Sequence, residues 1–158
     1  MPDYDKVKIL FRFYSDVLEE ETVETMWADI VNKHKGHYKI DNIPFYAPVL
    51  ACGDIVLAAF EEDEGMLTYK ETVEYSGSST IWVVMVDKSI EINTVRDEFM
   101  QMGCPSEKVS NGYFAMEVPP AVNYADIRRR LEHFEQKEIL EYAEPCLADE
   151  HLAQIKTL

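Results

Sequence analysis

No apolar stretch in this 158-residue sequence approaches the roughly 20 residues that a helix needs to cross a bilayer, so no helical membrane span is expected. Cysteine is scarce: Cys52, Cys104 and Cys146 are odd in number and widely spaced, which excludes a disulfide framework and a paired Cys-x-x-Cys metal site. Buried thiols in a reducing compartment are the expectation. The start, Met1-Pro2-Asp3-Tyr4-Asp5, is acidic where a secretory signal would be basic, and the protein is placed in the cytoplasm.

Positive charge is also in short supply. Fifteen Lys and Arg face thirty Asp and Glu, giving a formal net charge of -15 and a pI near 4.5. A field of that sign repels phosphate backbones and anionic lipid, so neither nucleic acid nor a membrane surface is an expected partner, whereas a basic protein would be steered in. The triplet Arg128-Arg129-Arg130 is too short and too outnumbered to alter this.

What is present is a chain with 47% hydrophobic residues, enough for a real core. Val7, Ile9, Phe11 and Phe13 alternate with Lys8 and Arg12, the period-2 pattern of a half-buried strand. After the acidic run from Asp16, Glu24 to Ile30 reads as a strand in preference to a short helix. His37 to Ile43 and Gly53 to Phe60 read as strands around a loop marked by Pro44 and Pro48. A turn at Glu61-Glu62-Asp63-Glu64-Gly65 leads into Met66 to Tyr75, so the first half is an antiparallel β-sheet or small barrel.

At Ser76-Gly77-Ser78-Ser79 the pattern changes. Thr80 to Val86 is apolar throughout, as a central strand is. Asn93 would cap a helix carrying Val95, Phe99 and Met102, ended by Gly103 and Pro105. Asn111-Gly112 signals a hairpin, and Asn123 with Asp126 a capping box opening a helix that runs toward Tyr142 before Pro145. The expected fold is α+β: a β-rich half over 1–78, a β-α-β-β-α ferredoxin-like half over 79–145 that borrows its missing strand from the first half, and a tail over 146–158 that frays, all either separate or one compact unit.

No catalytic motif stands out. His34 and His37 lack the further placed ligands of a zinc site. Ser76 to Thr80 lacks the glycine spacing of a nucleophile elbow and the Gly-Lys-Ser/Thr of a phosphate loop, and reads as a turn. Cys52 reads as a core thiol, and no cofactor is implied. Glu132, Glu135, Glu138, Glu141 and Glu144 recur every third position, a stripe that rotates around a helix.

The residues Trp27, His37-Tyr38-Lys39-Ile40-Asp41-Asn42-Ile43-Pro44-Phe45-Tyr46-Ala47, Gly53-Asp54-Ile55-Val56 and Tyr75-Ser76-Gly77-Ser78-Ser79-Thr80 resemble the bacterial domain of unknown function 4265 family over roughly residues 5 to 145. The resemblance implies a small cytoplasmic protein and brings no activity with it. The motif reads as a folding signature first, and as a small polar site at Asp41, Asn42 and Asp54 second.

The leading expectation is a non-enzymatic, immunity- or antitoxin-like inhibitor that occludes a basic toxin. Its partner-binding residues would be Asp54, Glu61, Glu62, Asp63 and Glu64 of the β-rich half, and Glu135 and Glu138 of the last helix. A small hydrolase or transferase using Asp41, Asp54 or His37 near the Ser76 to Thr80 loop is the first alternative; a structural or regulatory homodimer is the second.

Overall fold

A computed structural model describes residues 6–156; the acidic start Met1 to Asp5 and the last two residues of the expected tail, Thr157 and Leu158, lie outside them. The protein has an α+β fold in two compact units, Met1–Ser76 and Gly77–Leu158. The expected division after residue 78 lies in the same polar stretch.

In the first unit, β1 (Lys6–Ser15), β2 (Glu20–Asn32), β3 (His37–Ile40), β4 (Ile55–Glu61) and β5 (Met66–Glu74) close into a barrel. Sequence neighbours pair antiparallel, and Ile9 and Leu10 of β1 close the ring by pairing in parallel with Leu67 and Thr68 of β5. The alternation of β1 sends Ile9 and Phe11 inward, where they meet Met26, Ala28, Ile40, Val56 and Ala58. Closure removes the open edges that such short strands would otherwise expose. The segment from Glu24 is a strand, and it starts earlier, at Glu20, because pairing with β1 carries it through the acidic run.

The second unit is a four-stranded sheet in the order β7-β8-β6-β9, built from β6 (Ser79–Met85), β7 (Ser106–Ser110), β8 (Tyr113–Val118) and β9 (Leu140–Cys146). Helices α1 (Ile92–Gln101) and α2 (Tyr124–Gln136) lie between the strands in sequence, and α3 (Asp149–Ile155) follows β9. Ile81, Val83 and Met85 of β6 share one core with Phe99, Phe114, Ile127 and Leu131.

Four expectations for this unit are corrected. The cap of α1 is Glu91, whose carboxylate accepts from Asn93 N–H, so Asn93 is already inside the helix. The expected Asn111-Gly112 hairpin between β7 and β8 is present, without a positive φ at either residue and with a register shift between Lys108 and Ser110.

Helix α2 does stop short of Tyr142. Ile139 N–H donates to Phe134 O at 3.0 Å and Glu138 N–H to Glu135 O at 2.9 Å, the paired bonds of a Schellman end, with Glu138 at φ +58° where glycine is usual. Beyond it Leu140 and Tyr142 pack on the core in strand period, and β9 pairs with β6. The strand that seemed missing is therefore supplied by this unit itself.

The tail is held as α3. His151 is 0% exposed: its Nε2 lies 3.1 Å from both Pro119 O and Val122 O, and its Nδ1 2.6 Å from Ser79 Oγ, which also accepts from Ala148 N–H at 2.8 Å. Two carbonyls at Nε2 require the proton there, so Nδ1 accepts from the Ser79 hydroxyl and every polar atom of the pair is used.

No disulfide joins the three cysteines. Burial, with help from the charge of Glu117, pushes the Cys104 thiol up to about 12. The thiolate is the reactive form, so Cys104 should resist a thiol reagent at pH 8 in the native protein and react on unfolding. Time-resolved labelling read by mass spectrometry checks this; rapid native labelling at Cys104 overturns it.

Candidate acidic groove and the family loop

The loop that joins β3 to β4 is fastened by the side chains of Glu24, Asn42, Asp54 and Ser76. Glu24, on β2, accepts from the N–H groups of Phe45, Tyr46 and Ala47 at 2.7, 2.9 and 2.8 Å. Asn42 Oδ1 accepts from Trp27 N–H at 2.6 Å. Asp54 accepts from Ala51 N–H at 3.0 Å and Ser76 N–H at 2.9 Å, while Ser76 Oγ donates to Cys52 O at 2.9 Å. Gly53, at φ +88°, would set an added Cβ 3.0 Å from Ser76 Cβ, so both its backbone and the space beside it favour glycine.

These contacts decide what Asp54 can do. The residue is 1% exposed; burial raises its pKa from the ordinary carboxylate value, and the bonds from Ser76 and Ala51 oppose that rise. A side chain so enclosed cannot face a protein partner, and the expected partner contact at Asp54 is corrected to a clamp between two loops.

The residues of the hydrolase alternative each have structural partners. Asp54 meets Ser76 out of solvent, Asp41 meets Lys6, His37 lies opposite Leu57 in the β3–β4 ladder, and Ser78 and Ser79 face Glu117 and His151. Among the described residues no group of three or more His, Cys, Asp or Glu side chains could hold a metal ion.

At the β4–β5 turn the acids are half spent. Glu61 receives Lys70, and Glu64 receives Arg12 through Nη2 at 2.6 Å and Nε at 3.2 Å. Glu62 and Asp63 remain exposed. Surface pairs of this kind contribute little to stability, but they reduce the net charge that the tip presents.

The other expected pair, Glu135 and Glu138, is brought to one place with acids from elsewhere. The end of α2, the start of β9 and the segment after β6 border a groove of about 820 Å³. Asp87, Glu135, Glu138 and Glu141 rim it, with Lys137 as the cation among its lining residues. Val86, Leu140 and Tyr142 supply apolar and aromatic surface. Asp87 arrives because the N–H groups of Val86 and Asp87 both donate to Ile139 O, at 2.9 and 3.1 Å. Bonds from the Ser89 hydroxyl and N–H lower the Asp87 pKa, keeping it ionised.

Glu138 sits in a left-handed conformation that costs a side-chain-bearing residue about 1 kcal/mol or more. Glu138→Gly should therefore raise the unfolding free energy by about 0.5–1 kcal/mol while removing a rim carboxylate. Urea titration reads the gain; an unchanged or lower midpoint overturns it. Asp87 and Glu141 were not among the expected site residues. The signal for Glu141 was the strand alternation of 140–142, whereas nothing local to Asp87 announces a neighbour fifty residues away.

A family model described as Domain of unknown function (DUF4265) matches residues 24–142. The chain is also similar to a hypothetical protein from Neisseria gonorrhoeae known from a crystal structure, with 27% identity and a TM-score of 0.77, over 93% of this chain and 99% of that one. No curated protein matches the chain. Among the described residues no helix is long and apolar enough to cross a membrane.

Proposed function

Because the chain belongs to the DUF4265 family, whose description carries no activity, we propose from its own residues that it is a non-enzymatic binding protein that neutralises a basic effector by covering it, as an immunity protein does. The observation that carries this reading is the groove of the second unit. Four carboxylates face one lysine around apolar and aromatic surface, which suits lysine and arginine side chains above a partner's apolar contact.

Net charge of -15 supports rapid capture of a cationic partner, and binding by occlusion needs no chemistry from the inhibitor. Self-pairing has less support. Lys108 and a register shift lie on the edge strand β7, and Glu141 and Pro145 lie on β9, features that discourage strand addition.

The test is capture from the native cell, in the cytoplasm where we place the protein, by the tagged chain and by a Glu135→Lys, Glu138→Lys, Glu141→Lys variant. One basic protein recovered with the former and lost with the latter is the expected result. Recovery of no basic protein, or equal recovery with both chains, overturns the reading.

A further inference from the structure

An apolar run such as Thr80 to Val86 belongs in a strand covered on both faces, and β6 keeps to this only over its first half. On one face Ile81, Val83 and Met85 share the core with Phe99, Ile127 and Leu131 of the helices. On the other face Thr80 and Trp82 are buried, but Val84 and Val86, the next residues in the alternation, remain 42% and 45% exposed. A single exposed valine needs no explanation. These two are continuous with the groove, because Val86 lines it beside Leu140 and Tyr142, and the β6–β9 register sets Glu141 of the groove opposite Val84.

The surroundings of the two valines are acidic. Asp87, Glu135, Glu138 and Glu141 border the groove; the cations set against them are Lys137, in the same lining, and Lys88, whose Nζ would lie 2.7 Å from a Cβ added at Gly112. The ion pairs of this unit join Arg128, Arg129 and Arg130 to Glu98, Asp126, Glu132 and Glu144, so they consume none of the four groove carboxylates. We infer that Val84 and Val86 are the apolar centre of the interface: an aliphatic side chain of the basic partner, flanked by lysine or arginine, packs on the two valines while its flanking cations meet Glu141 and the rest of the rim. An apolar centre within a charged rim is the ordinary anatomy of a protein interface. A second copy of this chain is a poorer occupant, since it would bring the same carboxylates to the same place. The inference rests on the reading that the partner is a basic protein, and it divides the labour of the site: the carboxylates speed capture and the valines hold what is captured.

The probes are three capped peptides, acetyl-Gly-Lys-Leu-Lys-Gly-amide and its counterparts with glycine for leucine or glutamate for both lysines, titrated into the full chain while the NMR methyl signals of Val84 and Val86 are followed. The lysine-leucine peptide should shift both valine signals and bind about fivefold more tightly than the lysine-glycine peptide, as partial burial of a leucine side chain requires. The glutamate peptide should not bind. In the double variant Val84→Thr, Val86→Thr, followed at the Tyr142 ring signals, the advantage of leucine over glycine should vanish while the affinity for the lysine-glycine peptide stays as in wild type. Glu141→Gln should instead weaken both lysine peptides alike, by about twofold.

Threonine keeps the branched shape and the strand preference of valine, and the comparison of peptides on the wild-type chain decides the matter even if the double variant folds poorly. Equal affinity for the leucine and glycine peptides, still valine signals at millimolar peptide, or equal binding of the glutamate peptide overturns the inference. So does a dimer of the wild-type chain in sedimentation that the threonine variant loses, because a second copy would then be the occupant. If the peptides fail while the groove variant still loses a captured basic protein, only the valine centre falls. If the peptides behave as expected but no basic protein is captured, the functional reading falls and the valine centre stands.

Discussion

Asp54→Ala should lower the unfolding free energy by about 2–4 kcal/mol, the largest effect expected of any single change in the family loop. Alanine leaves the N–H groups of Ala51 and Ser76 without the carboxylate that accepts them, in a place that is 1% exposed. An unmade buried hydrogen bond costs about 1–3 kcal/mol, so two lost acceptors account for the range. Asp54→Asn keeps the shape and one acceptor but turns an amide N–H₂ toward the second donor, and should fall between wild type and alanine. Urea unfolding at neutral pH reads all three; an alanine variant within about 0.5 kcal/mol of wild type overturns the clamp.

The pH dependence has a definite sign. Burial raises the Asp54 pKa, so in the window from the ordinary value of 3.8 up to the folded value the native state holds more protons than the unfolded chain. The Asp54 contribution to stability is present below that window and is lost as pH rises through it. Asp54→Asn lacks this slope, so the advantage of wild type over the asparagine variant should shrink with rising pH in that interval. An advantage that grows instead would show a depressed pKa and would mean that the two N–H bonds outweigh burial.

Much of the fold was legible because local patterns and tertiary partners agreed. The alternation of β1, the breaks at Pro44 and Pro48, the Glu61–Gly65 turn and the Asn123 cap each specify one conformation, and each is found. The failures occur where a partner distant in sequence outvotes propensity. The glutamate-rich stretch from 132 to 144 favours helix, yet β6 recruits Leu140–Cys146 as a strand and the helix must end in a strained Glu138.

The expected fraying of the tail fails because its anchors are not local: His151 meets Ser79, Pro119 and Val122, and Gln154 accepts from Tyr124 N–H. Glu24 was invisible as a loop clamp for the same reason: its three bonds cross to residues 45–47. Of the candidate site, Glu135 and Glu138 were accessible to sequence reasoning as members of an acidic stripe. The groove they share with Asp87 and Glu141 exists only once β9 lies beside β6.

Reversing Glu135, Glu138 and Glu141 to lysine should reduce the association rate with a basic partner by about 10–100-fold at low salt. Each reversal moves the charge by two, so three move it by six against a total of -15, all of it at the groove. These side chains are exposed, so the variant should unfold within about 1 kcal/mol of wild type and the loss can be assigned to recognition. The deficit should fade as salt rises, because the screening length contracts from about 10 Å at 0.1 M to about 3 Å at 1 M. Glu138→Gly separates charge from strain at the same position: it should slow association by a smaller factor while raising stability, a pairing of effects expected when a residue is kept in a costly conformation for binding. Stopped-flow rates for both variants at several salt concentrations test this. Rates equal to wild type throughout would remove the groove from the interface.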